Sequence, residues 1–169
     1  MSLFSQETFI REVRTLVPTQ EKIKTLALYM KTTSAESTRM VRILDQEYAN
    51  SNAYHKLNIF YLANELIQTI KKNEKDLALL LEQIKSFVVS NFDDANAEMS
   101  KHPVLKGKLM ELKNVWVERR LFENAELANS PTTNSYSREE VIRKIEEYFD
   151  CREALAEYLD GMVKKLRHE

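Results

Sequence analysis

The chain has 169 residues, enough for one ordinary domain or a compact domain with a short appendage. Two glycines and three prolines are too few for the turns of a sandwich or barrel or for a glycine-rich phosphate cradle, whereas 43% apolar and 30% charged residues suit a helical protein with a charged skin. Twenty-five basic against 26 acidic residues leave a formal charge of −1, which excludes a global field for nucleic acid or anionic lipid.

The first predicted helix covers residues 5–17, with Phe9, Val13 and Leu16 on one stripe and Pro18 as its stop. Thr19 is placed to cap a second, in which Ile23, Leu26, Ala27 and Met30 have the three-and-four spacing of one buried face. A capping box, Thr33 to Glu36, is expected to open a third, with Met40, Ile43, Leu44 and Tyr48 inward. Residues 56–73 differ. Leu57, Ile59, Phe60, Leu62, Ala63, Leu66, Ile67 and Ile70 cover most of the circumference, as in a central buried helix. One narrow polar stripe interrupts them: Asn58, Tyr61, Glu65, Gln68 and Lys72, with Asn64 and Thr69 beside it. That stripe is either the solvated edge of the helix or the wall of a groove for an extended peptide, and Tyr61 suits the second use because an aromatic hydroxyl gives both area and a hydrogen bond.

A fifth helix is predicted over residues 75–92, then an acidic, asparagine-rich turn over 93–98. The next begins near Pro103, with Leu105, Leu109, Leu112 and Trp116 as its core stripe and Lys108, Glu111, Val115 and Arg119 on a neighbouring one. Residues 125–136 read as a linker. Beyond a second capping box, Ser137 to Glu140, the residues Val141, Ile145, Tyr148, Arg152, Leu155, Leu159, Met162 and Leu166 alternate steps of four and three, a heptad seam for a partner helix or for folding back. The expected organisation is therefore 1–124, a linker over 125–136, and a helical or coiled-coil segment over 137–169.

Catalytic signatures are missing from this pattern. His55, His102 and His168 are isolated, Cys151 has no histidine near it in sequence, and no metal-ligand spacing occurs, so neither an enzyme nor a cofactor is expected. A single cysteine and the lack of a charged leader before an apolar run point to an intracellular, reducing compartment. No apolar window approaches the about 20 residues that span a bilayer, so a soluble protein with no membrane partner is expected.

Read together, Phe4-Ser5, the run Thr25 to Met30, the run Lys56 to Gln68 with its Tyr-Leu-Ala-Asn-Glu core, and Val115-Trp-Val-Glu-Arg119 resemble the CTD-interacting domain family. That family binds the C-terminal tail of RNA polymerase II, and the resemblance is nearest to its regulation of nuclear pre-mRNA domain branch. It implies an all-α fold, an eight-helix right-handed superhelix similar in layout to ENTH and VHS domains, with an extended heptad-repeat peptide lying across its second, fourth and seventh helices. By the same resemblance Gln20, Ile23, Tyr61, Asn64, Glu65, Val115 and Arg119 line that groove. Tyr61, Ile23 and Val115 hold the repeat's tyrosine, Glu65 accepts from its hydroxyl, and Arg119 and Lys72 add positive charge.

Three positions depart from the family's pattern. Glu65 replaces an aspartate, Thr69 an asparagine, and Glu111 stands where many relatives carry a phosphate-binding arginine; Lys108, with Arg119, or Lys113 would then supply the charge for phosphate. The resemblance thus implies a nuclear, non-enzymatic adaptor in transcription termination or pre-mRNA 3′-end processing that binds the tail in phosphorylated form and pairs through residues 137–169. An ENTH- or VHS-like trafficking adaptor and a purely structural dimerisation protein are the rival readings.

Overall fold

The computed structural model describes residues 3–123, 126–127, 156–157 and 160. The chain divides into two compact units, Met1–Ser130 and Pro131–Glu169. In the second, Ala156, Glu157 and Asp160 are helical and exposed; the heptad seam expected over 141–166 lies outside the described residues, as do Cys151 and His168.

The described residues of the first unit form six α-helices and two short 3-10 turns: α1 (Gln6–Arg14), α2 (Gln20–Thr32), α3 (Ser37–Ala49), α4 (Ala53–Thr69), α5 (Ala78–Met99) and α6 (Pro103–Glu118), with 3-10 turns at Ser34–Glu36 and Lys75–Leu77. The fold is all-α, as expected, with six α-helices among the described residues. Ser5 caps α1, its Oγ accepting from the Thr8 N–H at 3.3 Å, and Thr19 caps α2 in the same way from Lys22 at 3.4 Å.

Several boundaries differ from the sequence reading. The predicted capping box at Thr33 does not form, because the Thr33 hydroxyl donates back to the Tyr29 carbonyl at 2.7 Å and the chain turns through a 3-10 segment before α3. The fourth helix starts earlier and ends sooner than predicted. Asn52 caps it by accepting from the His55 N–H at 2.9 Å, and Ile70 leaves it in an extended conformation (φ −78°, ψ 118°). The acidic stretch 93–98 is not a turn but the last part of α5. There Phe92, Ala95 and Met99 are buried on one side, and on another Asp94 and Glu98, one turn apart, both take the ammonium of Lys56, at 2.9 and 2.5 Å.

Helix α4 packs against α2, α3, α5 and α6. At its middle Phe60 is fully enclosed by rings from three other helices: Tyr48 of α3 at 5.9 Å, Phe87 and Phe92 of α5 at 6.2 and 6.3 Å, and Trp116 of α6 at 6.3 Å. Two side chains of α4 also close the end of α1. The His55 ring Nε2 lies 2.9 Å from the Val13 carbonyl, and the Asn58 amide donates to the Leu16 carbonyl at 3.2 Å. The Val13 carbonyl is one that the end of a helix leaves without an intrahelical donor, and the Leu16 carbonyl lies just past it. Helix α1 therefore stops at Arg14, before Pro18 is reached, and the chain is held where it must turn into α2. Leu127, inside the stretch expected as linker, is buried in the core of this unit.

Candidate peptide-binding groove

Because α4 is apolar almost all round, only one of its faces is left open, and α2 and α6 wall it. Together they enclose an open groove of about 580 Å³. Helix α4 contributes Tyr54, Leu57, Asn58, Tyr61, Asn64 and Glu65, which recur at three and four residues along one face. Gln20 and Ile23 come from the first turn of α2, with Pro18 before it, and Val104, Leu105 and Lys108 from the start of α6. Six residues singled out from sequence, Gln20, Ile23, Tyr61, Asn64, Glu65 and Lys108, thus share one cavity.

A polar chain fixes the α4 and α6 walls. The indole Nε1–H of Trp116 donates to Asn64 Oδ1 at 2.8 Å, and Gln68 Nε2 donates to the same oxygen at 2.6 Å. Gln68 in turn accepts from the Arg119 guanidinium. Since an indole can only donate, the Asn64 oxygen is committed to the protein, and the amide's two N–H donors are the end left for the groove. Tyr61 is half-buried; burial, then the charge of Glu111, then Tyr54 push its phenol above the usual range, so it stays a neutral hydroxyl at physiological pH.

Three expected residues stand elsewhere. Val115 is half-buried on α6 and is not in the cavity lining. Arg119 caps the C-terminus of α6 and is occupied by Gln68 rather than standing free in the groove. Lys72 falls on the turn after α4, not on its polar stripe, because the helix has already ended at Thr69. Thr69 donates to the Glu65 carbonyl at 2.7 Å and accepts from Lys31 at 3.2 Å. Lys113 lies over the Phe92 ring at 5.8 Å, on the side of α6 that meets α5.

Sequence reading passed over Tyr54 and Val104, which line the groove and are 52% and 73% exposed. Tyr54 was legible in principle: it lies seven residues before Tyr61, and Asn52 is a good cap for a helix that would include it. Leu105, assigned to the core stripe, is only half-buried and faces the groove. Asn58, assigned to the wet stripe, is buried; its Nδ2 donates to the Leu16 carbonyl and its Oδ1 has no hydrogen-bond partner among the described residues. Among the described residues no cluster of His, Cys, Asp and Glu is placed to hold a metal ion, and no helix is long and apolar enough to cross a membrane.

Comparison with known proteins matches the profile of one family, described as CID domain, to residues 7–130. The chain is similar to the regulation of nuclear pre-mRNA domain-containing protein 1A of Gallus gallus, 29% identical over 128 residues, which covers 73% of this chain and 44% of that protein. It is 27% identical over 128 residues to the protein 1A of Homo sapiens, covering 73% of this chain and 38% of the human protein. The human protein 1B is 25% identical over 122 residues, 72% of this chain and 36% of its own length. The chain therefore spans less than half the length of these curated relatives.

Proposed function

The chain belongs to the CID domain family, and from that membership and the α2–α4–α6 groove we propose that it is a non-enzymatic adaptor that takes the heptad-repeat tail of RNA polymerase II as an extended peptide. The observation that carries this reading is the meeting of Ile23, Tyr61, Asn64 and Glu65 in one open cavity. The repeat's tyrosine ring packs on Ile23 and Tyr61, its hydroxyl donates to the Glu65 carboxylate, and the Asn64 and Gln20 amides meet the peptide's backbone carbonyls. Tyr54, Val104 and Leu105 extend the apolar surface for the residues that follow. Lys108 supplies positive charge inside the groove, while Val115, Arg119 and Lys72 act at its far end, Arg119 by holding Gln68 and Asn64 in place.

Burying a tyrosine ring removes about 150–200 Å² from water, worth about 4–5 kcal/mol by area. The cost of immobilising an extended peptide is of the same order, so a single repeat binds weakly. A tail domain over 1–124, a linker over 125–136 and a self-pairing helix over 137–169 would present two grooves to one repetitive tail and raise avidity without new contacts. The role that follows is nuclear, in transcription termination or pre-mRNA 3′-end processing, its nuclear pre-mRNA setting being the one the relatives' names carry.

The test is fluorescence anisotropy with a two-repeat tail peptide, unmodified and phosphorylated in turn at the second, fifth and seventh positions. Saturable binding of at least one form, lost in Tyr61→Ala and retained at near wild-type strength in a surface control such as Glu82→Gln, is the expected result. Failure of every form to bind at high protein concentration overturns the proposal.

A further inference from the structure

The charge around Tyr61 is set by few groups. Glu65 and Lys108 line the cavity, and Lys108 is its one cation among the described residues. Glu111 follows Lys108 by one turn on the same face of α6. It is exposed, and its carboxylate is close enough to act on the Tyr61 phenol. Neither Glu65 nor Glu111 has an ion-pair partner among the described residues. Arg119, Lys113 and Lys31 keep their charges but lie outside the cavity lining, held by Gln68, the Phe92 ring and Thr69. Counting the cavity-lining Glu65 and Lys108 together with Glu111, one ammonium against two carboxylates, +1 − 2, gives −1 beside the Tyr61 ring.

We propose that this groove rejects phosphate beside the anchored aromatic ring and takes the unphosphorylated form of its peptide, with Glu111 as the residue that sets the preference. The inference rests on the tail-binding reading above and assigns the chemical form of the ligand that reading leaves open. A phosphoserine next to the ring carries about −1.5 to −2 charges into a site already negative, with no guanidinium among the described residues of the cavity lining to make the bidentate contact that phosphate recognition favours. A neutral serine hydroxyl in the same place donates to Glu111 instead. Lys108 does not reverse this balance, because a single ammonium is a hydrated point charge one turn away from the carboxylate it must overcome. The repulsion acts between partly solvated groups, so it is moderate, about three- to tenfold in affinity at low salt, and fades as salt rises.

The experiment measures the affinity of the full chain for a two-repeat tail peptide, unmodified or phosphorylated at the serine beside each tyrosine, in wild type, Glu111→Gln and Glu111→Arg, at low and high salt. Glu111 is exposed, so both variants should keep the fold, and circular dichroism melts verify it. Expected are a three- to tenfold preference of the wild type for the unmodified peptide, a smaller gap in Glu111→Gln, an inverted one in Glu111→Arg, and convergence of the two peptides at high salt. Equal or tighter binding of the phosphorylated peptide by the wild type overturns the proposal, as does a gap that neither Glu111 variant moves, and both results leave tail binding standing. Absence of binding by either peptide removes the tail-binding reading and this inference with it.

Discussion

Asn64 shows how one side chain serves the fold and the groove together. Its oxygen is held by Trp116 and Gln68, so the amide cannot turn over without breaking two hydrogen bonds. Asn64→Asp keeps an acceptor for both donors but replaces the groove-facing N–H donors with a second carboxylate oxygen. Peptide affinity should fall about tenfold, the loss of a hydrogen bond plus a new repulsion, while the urea midpoint moves little; anisotropy and urea unfolding measured side by side check both halves. Trp116→Phe makes the opposite division. It leaves the Asn64 oxygen short of a donor inside a packed aromatic cluster and should lower stability by about 1–3 kcal/mol, a loss read directly from urea unfolding. Glu65→Gln keeps the size and removes the charge, and a three- to tenfold weaker peptide with an unchanged melting temperature is expected in the same anisotropy assay.

At the level of elements, the α4–α5 contact depends on a charged pair of helices rather than on apolar surface alone. Lys56 is nearly buried yet carries its charge. Burial pulls its pKa down, but hydrogen bonds and attraction from Glu98 and Asp94 outweigh that and leave it raised. Tyr48 shares Asp94, its hydroxyl lying 3.1 Å from the carboxylate, and burial followed by that negative charge pushes the phenol far up. Both groups therefore hold their protons more tightly folded than unfolded. Their contribution is complete below the unfolded values, 10.0 for the phenol and 10.5 for the ammonium, and is lost as pH rises through the folded ones. Thermal melts should show stability falling from about pH 10 upward, and the fall should be shallower in Tyr48→Phe. Lys56→Met at neutral pH leaves Asp94 and Glu98 together without a cation. Because both carboxylates retain contact with water, a cost of about 1–2 kcal/mol in urea unfolding is expected rather than that of a fully buried pair.

For the whole molecule, the core of the first unit reaches past residue 124. Leu127 is 2% exposed and belongs to the same apolar cluster as Phe122 and Trp116. A chain ending at 124 should therefore be less stable than one ending at 130, by about 2 kcal/mol, the burial of one leucine, and paired thermal melts of the two decide it. The proposed pairing through 137–169 has its own measurement. Sedimentation of the full chain should give a dimer and of residues 1–130 a monomer, with a four-repeat peptide losing more affinity on truncation than a one-repeat peptide. A monomeric full chain with equal affinities for both would remove pairing from the proposed function.

By itself, the amino-acid sequence determined the helical class, the centrality of α4 and the positions of Tyr61 and Glu65 on a single stripe, because all three follow from local periodicity and from an absence of turn residues. It also carried the family resemblance, which the match over residues 7–130 bears out. Tertiary structure decided what periodicity cannot see. Residues 93–98 read as a polar turn until Lys56, 38 residues before Asp94, supplies the cation that keeps them helical. Asn58 reads as wet until the end of α1 claims its amide. Lys113 and Arg119 read as groove cations until Phe92 and Gln68 hold them. Each outcome turns on a partner far away in sequence, and a side chain with hydrogen-bonding or charge capacity is assigned by whichever partner packing brings to it, not by its place along its own helix.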